Sequence, residues 1–150
     1  MLGGCGANCA LGDIYEFDPE KKETRQLNLT LPTDVYWTSG VWTGESALVF
    51  GGNDWAKTLD EIILYTPGEG DGTVEVVGRL PDPLELTVSF WDGERAYVLG
   101  GVSGLDGSDG ILRVYAGGGD DGDESTPGLT GVLALSAAVA VLAVIHRRRR

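Results

Sequence analysis

One feature constrains this chain more than any other: it repeats itself with a period of about 49 residues. Gly-Gly pairs occur at 3 and 4, 51 and 52, and 100 and 101, spaced by 48 and then 49 residues. The likeness extends well beyond glycine. Leu31 and Pro32 correspond to Leu80 and Pro81, VWTGE at 41–45 to FWDGE at 90–94, and ALVFGG at 47–52 to AYVLGG at 96–101, all at an offset of 49. IYEFDP at 14–19 matches IILYTP at 62–67 at an offset of 48, and the odd residue is absorbed in the turn that follows. A unit that recurs in this way cannot bury its apolar face alone, so copies must stack to make a core.

Each unit reads as four short strands. A strand over about 35–42 and again 84–91 ends at Trp42 and Trp91, and TGE or DGE turns it, with Gly supplying the positive φ of a hairpin. An apolar strand then closes on Gly51 and Gly52, or on Gly100 and Gly101, where missing side chains allow close backbone packing or a bulge. The third strand is expected at 13–18, 61–66 and 110–115, and the fourth at 24–29 and 73–77, where β-branched residues alternate with polar ones. Four antiparallel strands per period of this length are the signature of a propeller blade. The boundaries predict an all-β region over 1–116, with units at 1–32, 33–81 and 82–116, about two and a half blades.

On these residues the chain resembles the Kelch family. The resemblance rests on residues 47–52, on Tyr15 to Pro19 and on Leu31 and Pro32, and covers roughly residues 1–116. Tryptophan stands at the end of the inner strand rather than in the outer strand, which looks more like prokaryotic surface Kelch proteins than cytoplasmic adaptors. The resemblance implies a partial antiparallel propeller. Closed propellers need about four to eight blades, and Met1 and Leu2 align with Val49 and Phe50, inside a strand. We therefore expect a fragment of a longer protein whose further blades lie upstream. An authentic short protein that assembles with a partner propeller is the alternative.

Charge narrows the partners. Up to Gly128 there are 23 acidic and seven basic residues, a formal charge of −16, which four terminal arginines bring to −12. Nucleic acid is excluded as a partner class, because phosphate binding requires Lys and Arg to displace counterions.

From Gly117 the composition changes. Residues 117–128 form an acidic, Gly-rich linker with nothing to bury. The segment from Leu129 to Ile145 holds seventeen residues without a charge. As a helix it would be about 26 Å long, close to a hydrocarbon core of about 30 Å. A transmembrane helix is expected over 129–146, followed by a cytoplasmic arginine cluster from Arg147 to Arg150, which puts the propeller outside the cell membrane. A strand or a buried core helix is the competing reading. Small polar residues, Pro-Gly, an apolar span and an Arg cluster are similar to archaeal PGF-CTERM sorting tails, with Leu129 at the signature Phe position. That likeness implies removal of the tail and its replacement by a lipid.

Candidate sites are few. Cys5 and Cys9 are either a small disulfide staple or two loop thiols. Asn28 opens an N-x-T sequon. The only histidine, His146, lies beside the apolar tail, so no Ser–His–acid set, zinc site or other cofactor is expected. Asp106, Asp109 and the acids of 120–124 are weak calcium candidates or solvated loop acids. Aromatics at repeating positions (Trp42, Trp91, Tyr97, Phe50, Tyr65) read as packing between blades. The non-repeating Tyr36, Trp37, Asn53, Asp54 and Trp55 read as ligand-binding residues in connections. The function expected is a surface-anchored binding or adhesion module for a protein or glycan. A propeller enzyme with catalytic blades upstream and a structural cell-envelope protein are the rivals.

Overall fold

The computed structural model describes residues 1–7, 9–104, 106–107, 111–115 and 143–145, with side chains placed for 1–7 and 10–104. Among them there is no helix; every element is a strand. β1 (Leu2–Gly6), β2 (Cys9–Asp18) and β3 (Glu23–Val35) form a three-stranded antiparallel sheet in chain order. β4 (Ser39–Trp42), β5 (Ala47–Asn53), β6 (Thr58–Thr66) and β7 (Thr73–Arg79) form a complete four-stranded meander. β8 (Val88–Trp91) and β9 (Arg95–Leu99) begin a third sheet. A small hairpin of β10 (Val102–Ser103) and β11 (Asp106–Gly107) precedes β12 (Ile111–Tyr115), which pairs with β9.

The repeat is visible in the register. Trp42 pairs with Ala47 across the first hairpin of the second sheet, and Trp91 with Ala96 across that of the third. Isolated bridges join Tyr36 to Asn53 and Glu85 to Val102, again 49 residues apart on both strands. The strands preceding each Trp break in two, however. Trp37 and Leu86, equivalent positions, adopt φ of 54° and 56°, which interrupts the extended chain between the bridge and β4 or β8.

The middle sheet is apolar on both faces, and period-two alternation divides its residues between two cores. Leu48 and Phe50 of β5 and Ile62 and Leu64 of β6 pack with Val41, Ala96, Val98 and Trp91, between the second and third sheets. Val49 and Ile63 face the other way, onto Ile14, Leu27, Leu31 and Val35 of the first sheet. Phe50, wholly buried, contributes about 1.5–3 kcal/mol by that burial. The glycine pair is required by close approach. A Cβ on Gly51, at φ 53°, would sit 2.1 Å from the Leu84 carbonyl oxygen, and one on Gly52 2.8 Å from that of Tyr36. Gly100 and Gly101 share the positive φ.

Observed strands are longer than expected at β2, β3 and β6: the Leu-Pro segment of the first unit continues the ladder through Val35, which pairs with Leu11, and Thr58 and Leu59 pair with Asn53 and Gly52. At the third sheet, β13 (Ala143–Ile145) pairs antiparallel with β12 where a helix was expected. The rest of the anticipated spanning segment, with Leu129 and Arg147, lies outside the described residues, as do the acids of the linker. Among the described residues no helix is long and apolar enough to cross a membrane.

Candidate functional site

The connection from β3 to β4 and the loop from β5 to β6 meet at one end of the second sheet. Tyr36 N–H donates to the Asn53 carbonyl at 3.0 Å, and Asn53 N–H returns to the Tyr36 carbonyl at 2.8 Å. The loop is shaped by two side chains. Asn53 Oδ1 accepts from Trp55 N–H at 2.7 Å, and Asp54 Oδ1 accepts from Ala56 and Lys57 N–H, each at 2.8 Å. These bonds hold Trp55 at φ 81°.

Three rings come together in consequence. Tyr36 and Trp37 have centroids 4.7 Å apart at 55°, and Tyr36 and Trp55 are 6.1 Å apart at 45°. Tyr36 is buried at the base, whereas Trp37 is 52 % and Trp55 71 % exposed. A large aromatic in the left-handed region costs of order 1–3 kcal/mol, and such strain concentrates at functional positions. Trp37 and Trp55, each in ring contact with Tyr36, both adopt it, and the equivalent Leu86 and Gly104 share the positive φ one repeat later.

The structure thus unites all five residues singled out as ligand-binding candidates, and separates their roles. Tyr36, Trp37 and Trp55 form an aromatic ledge; Asn53 and Asp54 order the loop that presents it. Two further residues were not legible as site residues. Glu85 is only 7 % exposed, and its Oε2 accepts from Asn53 Nδ2 and from Thr58 Oγ1, the latter at 3.1 Å. Leu86, 53 % exposed, donates its N–H to the Trp37 carbonyl at 2.8 Å. The available signal was the offset: Glu85 and Leu86 occupy the places of Tyr36 and Trp37 one repeat later.

The remaining candidates lie apart. Cys5 is disulfide-bonded, while of Cys9 only the backbone is described, paired with Gly6. Asn28 is exposed, but its amide is engaged: Nδ2 donates to Asp71 Oδ2 at 3.1 Å and its N–H to the same oxygen at 2.9 Å. Those bonds, first the backbone one and then that from Arg25, hold the Asp71 carboxyl below its ordinary range. They tie β3 to the turn between β6 and β7. Of the repeating aromatics, Phe50 is in the core, Tyr65 and Trp91 pack against cores, and Tyr97 stacks on Phe90 at 4.8 Å. Trp42 departs from the expected packing. It is 52 % exposed and lines a groove of about 310 Å³ with Leu2, Gly40, Ala47 and Val49; β1, which carries Leu2, is the edge of the first sheet among the described residues.

Comparison with known proteins agrees with this architecture. No family model matches the chain. Over 90 residues it is 37 % identical to a Kelch domain-containing protein of Pyrococcus furiosus, a match that covers 59 % of this chain and 27 % of that relative. The chain therefore spans about a quarter of the relative's length. The repeated antiparallel sheets and this similarity together fit a Kelch-repeat protein.

Proposed function

We propose that this chain is part of a Kelch-type interaction module that binds its ligand on the ledge of Tyr36, Trp37 and Trp55. One observation carries the reading: at two positions where the repeat backbone takes a positive φ, and where the next repeat has Leu86 and Gly104, this unit places tryptophans that are 52 % and 71 % exposed around the buried Tyr36 ring. A rigid scaffold with binding residues on its connections is how repeat folds acquire specificity. The similarity to a Kelch domain-containing protein supports an interaction role over a catalytic one.

In the same reading the module is displayed outside the cell and held by the apolar segment from Leu129, with Arg147 to Arg150 on the cytoplasmic side. The three-residue pairing of β13 on β12 is short enough to yield to insertion of seventeen uncharged residues. Further copies of the repeat cover the open faces that carry Trp42 and Phe90.

The test is an array of peptides and glycans probed with the full chain and with the Trp37→Ala/Trp55→Ala double variant. The reading predicts hits that the double variant loses while its thermal unfolding stays cooperative. Hits that survive the substitution contradict it.

A further inference from the structure

We infer that the ledge takes a cationic side chain, an arginine or lysine of a partner protein, with Glu85 as its counter-charge. This rests on the ledge being the binding surface. Two features of the site favour a cation over a sugar. First, the rings stand at 55° and 45° to the central Tyr36, so they form angled walls and not a flat platform. A pyranose stacks its face on a flat ring, whereas a cation is attracted to several ring faces at once, tryptophan most strongly.

Second, Glu85 is a nearly buried carboxyl whose described partners are both neutral, Asn53 and Thr58. Among the described residues no lysine or arginine forms an ion pair with it, Lys57 of the adjacent loop included. The described ion pairs of Lys21, Arg25, Arg79 and Arg95 all lie on other acids. A carboxylate withdrawn from water without a cation is costly, and an incoming positive charge offsets that cost. Asn53 links the two features, because it donates to Glu85 and accepts from the Trp55 backbone. On the other side, Leu86 ties the residue after Glu85 to Trp37. The formal charge of −12 steers basic partners toward the molecule.

The experiment follows tryptophan emission of the full chain during titration with a five-residue glycine peptide carrying one central arginine. Its citrulline counterpart and chitotetraose serve as the other probes. A saturable response to the arginine peptide is expected, weaker by about tenfold for Glu85→Gln and absent for citrulline. Trp55 is exposed, so Trp55→Phe and Trp55→Leu report on the ring without disturbing the core; Phe retains binding and Leu loses it. Equal binding of citrulline, or undiminished binding by Trp55→Leu, overturns the cationic assignment. A response to chitotetraose that Trp37→Ala/Trp55→Ala abolishes also overturns it, yet leaves the ledge as the binding surface. No response to any probe counts against both.

Discussion

Trp91 and Trp42 stand at the same place in successive repeats and meet different fates. Trp91, on β8, packs against the core between the second and third sheets, while Trp42, on β4, is half exposed over an open groove. Val41 and Phe90 make the same contrast on the opposite face: 8 % exposed where the third sheet covers β4, and 47 % where nothing among the described residues covers β8. The repeat encodes an adhesive face on each side of every sheet, and burial is decided by whether a neighbouring strand lies against that part of the face. Residue type alone does not settle it.

The largest effect should come from within the covered region. Phe50→Ala empties a fully buried site and should cost about 3–5 kcal/mol, read from the denaturant midpoint. The tryptophan pair gives the sharper test. Trp91→Ala should cost about 2–3 kcal/mol, and Trp42→Ala less than about 1 kcal/mol. Equal losses would break the comparison, since they would mean that both rings are packed alike. Placing a further repeat beside β1 should bring the two losses together, with Trp42 emission shifting to shorter wavelength as the groove fills.

A smaller effect concerns acid. Asp71 joins the first and second sheets through Asn28 and Arg25, and its pKa is lowered from 3.8. Asp92 is lowered too, by the backbone N–H groups of Arg95 and then Glu94. A carboxyl with a depressed folded-state pKa adds stability that is complete above its unfolded value and disappears as pH falls through the folded one. The denaturant midpoint should therefore hold from pH 7 to about 5 and decline below about 4. Asp71→Asn should reduce the midpoint slightly at pH 7 and flatten that decline. An unchanged acid profile would remove Asp71 from the contact between sheets.

Much of this was legible in the chain. Period, strand order and the two-faced apolar pattern of residues 47–52 follow from spacing and composition, because backbone geometry forces side chains of a strand to alternate. Tyr36, Trp37, Asn53, Asp54 and Trp55 stood out because they break the repeat. Their division of labour did not, since the hydrogen bond that Asn53 donates to Glu85 crosses 32 residues and the one it accepts from Trp55 N–H crosses two. Glu85 was hidden as one acid among 23. The exposure of Trp42 was unreadable for a different reason: it depends on a neighbour, and the sequence around Trp42 and Trp91 is nearly the same.

The claim beneath all of this is that the second and third sheets lie side by side in repeat register. Ser39 and Thr87 report on it directly, because their hydroxyl oxygens are 2.7 Å apart across that boundary. In a Ser39→Cys/Thr87→Cys variant, mild oxidation followed by peptide mapping should show a disulfide within one chain joining 39 to 87. A cross-link found solely between molecules, or none at all in a folded variant, would contradict the account.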